Sequence, residues 1–510
     1  MARHSRSFSI LIVLTLLMGL VLAACGAQQA ASTAESVGND VAGAATEANV
    51  TQDDVEDAVA TATAVNVTED DVEDAAATAE GAIEGATAAA TSAVTATAGT
   101  AATAAATGTV GMEATAAATG TAGTSAGAGG TNTCEQKDEE LIIYASLPLS
   151  GPSRGQTVST ANGMQLALDQ QGGTAGGYKV KFQALDDSTA AAQKWTPEQE
   201  SANAQKAIRD GATIYLGTFN SGAAAVSIPI LNAAGIPMIS PANTAIDLTK
   251  PGAEPKLLAS LYTKGERNYF RVVPNDAIQG PAGAVYAQEL GAETVYILHD
   301  QETYGLGIAR AFQGKAKELG LTVAGFEGID PKAGSFAGVM EKVVDSGANL
   351  VYFGGLTDTK GPQLVKDLRE IAGTDEVMFL GPDGILDSGF IEAAGEAAEG
   401  TYGTVATAPV EKLQGSGAEF VQLYQQEFGQ KPEAYAIFGY DAMGVALQAI
   451  NQACSKDPKE VLAALKNLEE YSGALGTFSF DEDGDTTLRQ MNAYRVKNGE
   501  WVWVKELSAE

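Results

Sequence analysis

Histidine is almost missing from this chain: among 510 residues only His4 and His299 carry an imidazole, and cysteine occurs three times. So few ligating side chains exclude the Cys- and His-rich spacings that hold zinc, and no metal is expected. No nucleophile elbow is expected and no Walker loop is present, which sets aside two common frames for acyl and phosphoryl transfer. His299 ends a strand-like run and reads as a satisfied loop residue, so neither catalysis nor a cofactor is expected. The Gly-x-Gly of "YGLGIA" lacks the third glycine of a dinucleotide loop. The acids of "FDEDGDTT" resemble the start of a calcium loop, but position twelve from Asp481 is Asn492 where glutamate is needed, so a hairpin turn is expected. Positive charge is also scarce: 31 Lys and Arg face 64 Asp and Glu, a net charge of −33. That balance argues against nucleic acid or an anionic membrane surface as partner.

Long apolar runs are confined to the start. "MARHSRS" precedes "FSILIVLTLLMGLVLA", which is short for a membrane span, and "LAAC" follows. Residues 1–25 thus resemble a bacterial lipoprotein signal peptide, with Cys25 as the expected lipidation site. An uncleaved membrane anchor is the alternative, and either reading places the remainder outside the cytoplasm, anchored to the cell membrane. In an oxidising compartment the remaining Cys134 and Cys454 could form one disulfide, but spacing alone leaves that open. Residues 26–133 contain no Lys or Arg and consist largely of Ala, Thr, Gly, Ser and acids, with an imperfect duplication at "NVTQDDVEDAVATA" and "NVTEDDVEDAAATA". Such a composition cannot build a core and is expected to form a disordered linker. As a flexible coil it would span on the order of 60 Å between its ends.

From about Glu139 strand-like runs ("ELIIYASLPL", "TIYLGTF", "TVYILHD", "NLVYFGG") alternate with helical ones ("ANGMQLALDQQ", "GVMEKVVDSGA"), the pattern of parallel sheets covered by helices on both faces. About 370 residues exceed one such sheet, so an α/β fold of two doubly wound lobes is expected. The last segment, "TFSFDEDGDTTLRQMNAYRVKNGEWVWV", reads as antiparallel hairpin strands joined by Asp-Gly and Asn-Gly turns.

The loops "LPLSGP", "GGYKVKFQALDD", "IPMISPANT", "FRVVPND", "HDQETYGLG", "VYFGG" and "FLGPDG", in this order, resemble those of the leucine/isoleucine/valine-binding proteins, type I periplasmic binding proteins that serve ABC importers. The resemblance covers about Leu141 to Val504. It implies three hinge crossovers, near Val273 to Asn275, near Thr404 to Ala408 and after Gly476. Lobe 1 would then comprise 134–274 and 405–476, and lobe 2 would comprise 275–404 and 477–510. It further implies a monomer that binds a branched-chain or related amino acid between the lobes and docks on ABC permease subunits. By the same resemblance Ser221, the backbone of Ala242 and the hydroxyl of Thr244 would meet the ligand carboxylate. Tyr304 would pack on the ligand and Asp383 would accept from its ammonium. Helix capping (Ser221) and turn formation (Thr244, Asp383) are the plainer readings of the same residues. Two positions depart from the family pattern. Gln156, beside Arg154, stands where an aromatic residue is common, and "LTDTKG" follows the "VYFGG" strand. A more polar amino acid or an amide, with Arg154 near a ligand anion, is therefore an alternative ligand, and a signalling receptor of the same fold an alternative role.

Overall fold

Strands β1 (Glu140–Leu147) and β7 (Thr294–His299) are apolar at nearly every position and buried on both faces, as strands of a helix-covered parallel sheet must be. Each lies inside its own sheet in this computed structural model, which describes residues 134–510 apart from 253, 374–375 and 509–510. The expected leader, lipidated Cys25 and linker lie outside the described residues. In the first sheet β1 is joined by β2 (Thr174–Ala175), β3 (Tyr178–Asp186), β4 (Ile214–Gly217), β5 (Met238–Ser240) and β6 (Tyr269–Arg271), in the order β2-β3-β1-β4-β5-β6. The second sheet adds β8 (Thr322–Gly328), β9 (Leu350–Gly354), β10 (Met378–Gly381), β11 (Tyr402–Val405), β14 (Met491–Lys497) and β15 (Glu500–Leu507), in the order β15-β14-β11-β10-β9-β7-β8. A separate hairpin pairs β12 (Tyr471–Gly473) with β13 (Gly476–Phe478). The closing β14–β15 pair is antiparallel and turns at Asn498 and Gly499, both at positive φ, which the Asn-Gly pair tolerates.

The helices are α1 (Arg154–Gln170), α2 (Pro197–Arg209), α3 (Ser221–Ala234) and α4 (Pro255–Leu261) on the first sheet, and α5 (Asp276–Glu289), α6 (Thr303–Glu318), α7 (Ala337–Asp345), α8 (Gly361–Ala372) and α9 (Ser388–Ala394) on the second. The chain then supplies α10 (Ser416–Phe428), α11 (Ala436–Ala453) and α12 (Pro458–Lys466), of which α11 packs along α1 of the first lobe. Local chemistry starts them: the Thr196 side chain caps the Gln199 amide ahead of Pro197 in α2, with Glu198 and Glu200 in the first turn and Lys206 and Arg209 in the last. Facing glycines let α1 and α11 approach closely. A Cβ on Gly163 would lie 2.0 Å from the Ala436 carbonyl oxygen, and one on Gly439 would lie 2.2 Å from that of Thr160. That contact fixes where α11 begins, and its first turn is part of the site described below. Cys134 and Cys454, at the far end of α11, are joined in a disulfide.

Three crossovers connect the two lobes, after β6, after β11 and before β14. The third comes later than Gly476: Asp485 still forms a parallel bridge with Arg271 of the first sheet, so the chain passes over only between there and Met491. Arg271 is wholly buried. Its Nε donates to Asp485 Oδ1 at 2.6 Å, its Nη1 to the carbonyls of Asn243 and Ala245 at 3.0 and 2.8 Å, and its Nη2 to Thr249 Oγ1 at 2.5 Å. Asp485 also accepts from Asn275 Nδ2 at 2.8 Å, which ties the first crossover to the third. The acids of "FDEDGD" are therefore turn and ion-pair residues. Asp481 Oδ1 accepts from the amides of Asp483 and Asp485, while Lys250 and Arg267 meet the outer carboxylates.

Candidate functional site

In each sheet the chain leaves the first strand, adds a neighbour on one side and then on the other. Beyond the carboxyl ends of those strands a crevice opens, where loops aim polar groups without disturbing the core. The first sheet changes direction at β1 and β4, the second at β7 and β9. The loops there carry Ser153, Ser221, Tyr304 and the 355–360 segment, and the two sets face each other across the lobes. α1, α3, α5 and α6 all begin at this level, so several positive dipole ends surround the same space.

Asp383 sits in a 3-10 turn, Asp383–Ile385, after β10. Its Oδ1 accepts from Tyr304 Oη at 3.0 Å and its Oδ2 from Tyr435 Oη at 2.6 Å. Tyr304 is in the first turn of α6, in the second lobe, and Gly305 lets that turn press against β9: a Cβ there would meet Asp300 Oδ1 at 2.1 Å and the Gly354 carbonyl at 2.4 Å. Tyr435 precedes α11 in the first lobe and packs edge-on against Phe219 at 5.6 Å. One carboxylate is thus held by a phenol from each lobe. Gln156 makes a second link, its Nε2 donating to the Leu386 carbonyl at 3.3 Å, and Lys194 makes a third, to Glu302 Oε1 at 2.5 Å. The lobes are closed on each other.

Beside Asp383 lies Asp276, the first residue of α5 and wholly buried. Asn275 does the capping there, accepting from the Ala277 amide, which frees the Asp276 side chain to turn inward. Neither of its carboxylate oxygens has a hydrogen-bond partner, and the same holds for the buried Thr244 Oγ1 and Tyr352 Oη. Burial, and then the charge on Asp383, push Asp276 well above the usual carboxylate range; the Thr244 hydroxyl pulls the other way. Burial raises Asp383 too, against the two tyrosine hydroxyls. Two adjacent buried carboxylates held up in this way favour a cationic guest, whose charge restores their ionised form.

The remaining expected residues divide. Ser221 is buried, but Asn220 takes the cap position and Ser221 is the first helical residue, so the capping reading does not hold. Its Oγ accepts from the Ala245 amide at 3.3 Å, which places it against the Thr244 loop. The Ala242 amide donates to Ser240 Oγ at 3.0 Å, so that donor is already engaged. Arg154 opens α1 with its side chain exposed and is not brought to this group. His299 Nδ1 accepts from the Gln301 amide at 3.2 Å, as a loop residue should. Sequence reasoning missed Tyr435, Asp276, Phe219 and Tyr352. Asp276 stood inside the motif "FRVVPND" and could have been found there, whereas Tyr435 precedes a run, "AIFGYDAMGVALQAI", that reads only as core.

A family model described as periplasmic binding protein matches residues 145–500. This chain belongs to that family. A Leu/Ile/Val-binding protein homolog from Brucella suis is 28% identical over 364 residues, covering 71% of this chain and 91% of the relative. A leucine-binding protein of the family from Thermotoga maritima, solved as a crystal structure, superposes with a TM-score of 0.63 at 25% identity, covering 72% of this chain and 99% of that one. A solute-binding protein of an ABC transporter from Rhodopseudomonas palustris, crystallised with benzoate, superposes at 0.60 with 20% identity, covering 73% and 98%. These solved structures share the fold of this chain, and the ligands named for them differ.

Proposed function

We propose that this protein is the extracytoplasmic solute-binding component of an ABC importer, a lipoprotein anchored through Cys25 that grips an amino acid between its lobes by hinge closure and presents it to permease subunits. The observation that carries this reading is the pair Asp383 and Asp276, buried side by side, with Asp383 held by a tyrosine from each lobe. An α-ammonium supplies the donors and the charge that the pair lacks, and charge-assisted bonds of this kind are about twice as strong as neutral ones. Ser221 and Thr244, near the N-terminus of α3, would take the α-carboxylate, with Ala242 shaping the wall. An aromatic acid without an ammonium, like the guest of the Rhodopseudomonas relative, would bring a second anion toward two carboxylates and is disfavoured here. The buried Gln156, in place of an aromatic wall, favours a polar amino acid or an amide over leucine.

Because each lobe supplies part of the contact set, a ligand that touches both favours the closed form by its differential affinity for it. Calorimetric titration of the intact chain with the twenty amino acids and benzoate tests the reading. At least one amino acid is expected to bind with a dissociation constant of roughly micromolar, near −8 kcal/mol, while the same molecule without its amino group does not bind. Binding of benzoate with no response to any amino acid would overturn it.

A further inference from the structure

The atoms without partners do not stop at Asp276 and Thr244. Along the first turn of α1 the buried Gln156 Oε1 and Ser153 Oγ have none, the latter on a residue 2% exposed. Just past β3 both oxygens of Asp187, on a residue wholly enclosed, have none either. From the second lobe Asp358 Oδ1, in the loop between β9 and α8, is buried and unpaired as well. The Asp358 loop adjoins the site already described, since the Thr357 amide donates to the Gly384 carbonyl at 2.9 Å, next to Asp383. With the exception of the serine hydroxyl, which can also donate, every one of these atoms is an acceptor.

We propose that Asp187 of the first lobe and Asp358 of the second form a distal subsite that receives a protonated amine or guanidinium at the end of the ligand side chain, which makes the ligand a basic amino acid. This rests on the amino-acid reading above. The chemistry is that of an acceptor-lined wall, which a donor-rich cation matches and an aliphatic side chain leaves unpaired at a cost. Burial, and then the charges on Glu200, Asp186 and Asp358, push Asp187 well above the usual carboxylate range. Asp358 is raised to about 6 by burial, with Lys194 and the adjacent Ser153 hydroxyl opposing. That lysine is engaged by Glu302 at 2.5 Å, and the other nearby acids already have their donors: the Ser146 and Tyr215 hydroxyls for Glu200, the Leu149 and Ser188 amides for Asp186. The unmet demand therefore falls on Asp187 first, and on Asp358 beyond what the Ser153 hydroxyl can supply. No cluster of three or more metal-ligating side chains occurs among the described residues, which favours an organic cation over a metal ion.

Lysine and norleucine have nearly the same side-chain length and differ in the terminal charge, so their comparison isolates the subsite. Calorimetry on the intact chain is expected to show lysine, ornithine or arginine binding at least about tenfold tighter than norleucine, the effect of one charged hydrogen bond. Asp187→Asn should bring the two affinities together while norleucine binding stays within about twofold. Equal or tighter binding of norleucine to the unaltered protein would overturn the subsite and leave the amino-acid reading intact. No binding of any amino acid would overturn both. An unchanged lysine-to-norleucine ratio in both Asp187→Asn and Asp358→Asn, each folded by circular dichroism, would also defeat it.

Discussion

Replacing Asp383 with alanine is expected to weaken binding of the tightest amino acid by roughly 30- to 4,000-fold, or about 2–5 kcal/mol, the cost of truncating one partner of a buried charged pair. The loss should be this large because two interactions fail together. The ammonium loses its acceptor, and the phenols of Tyr304 and Tyr435 lose the anion that orients them from either side of the cleft. The unliganded protein should respond differently. Asp383 is an anion that burial disfavours, so Asp383→Asn should bind ligand poorly yet melt no lower than the parent in calorimetric scans. Unchanged affinity in Asp383→Ala would remove this residue from the ammonium site; a melting point many degrees lower in Asp383→Asn would make it structural instead.

Arg271→Met is expected to cost about 3–5 kcal/mol of stability, because it removes the buried partner of Asp485 and leaves only the half-exposed Lys250, at 3.2 Å, to offset that charge. Against a usual total of about 5–15 kcal/mol, urea should unfold this variant at a clearly lower concentration. Four interactions depart at once: the Asp485 pair, the two carbonyls of Asn243 and Ala245, and the Thr249 hydroxyl. Adding Asp485→Asn should recover part of the loss, since a neutral amide in that place is cheaper to bury than a carboxylate that has lost its buried partner. The double variant retains the Asn275 contact only weakly, so the crossovers should also become more accessible to hydrogen exchange. If Arg271→Met unfolded at the parent's midpoint, the network would be an ornament of the hinge and not its fastening.

The architecture was legible because its signals are local. Apolar runs such as "TVYILH" with helices between them fix a parallel sheet, and short loop motifs marked Tyr304 and Asp383. The site was half legible, for a physical reason: a carboxylate's orientation depends on which neighbour takes the capping role. Asn275 and Asp276 are equivalent candidates on paper, and only the folded chain shows asparagine capping and aspartate turning inward. The same competition removes the capping reading of Ser221, because the cap position belongs to Asn220. Tyr435 was invisible because the facing glycines Gly163 and Gly439 that place it are 276 positions apart in sequence and join only through helix packing. The pairing of Arg271 with Asp485, separated by 214 residues, was hidden likewise.

The link between Cys134 and Cys454 also decides where a mechanical load enters the molecule. Cys454 follows the last residue of α11, and Tyr435 stands just before its first, with the 18-residue helix of about 27 Å at 1.5 Å per residue between them. A load applied at Cys134 is delivered to the rear of that helix, inside one lobe and away from all three crossovers. Such a load turns both lobes together and exerts no leverage on the cleft between them.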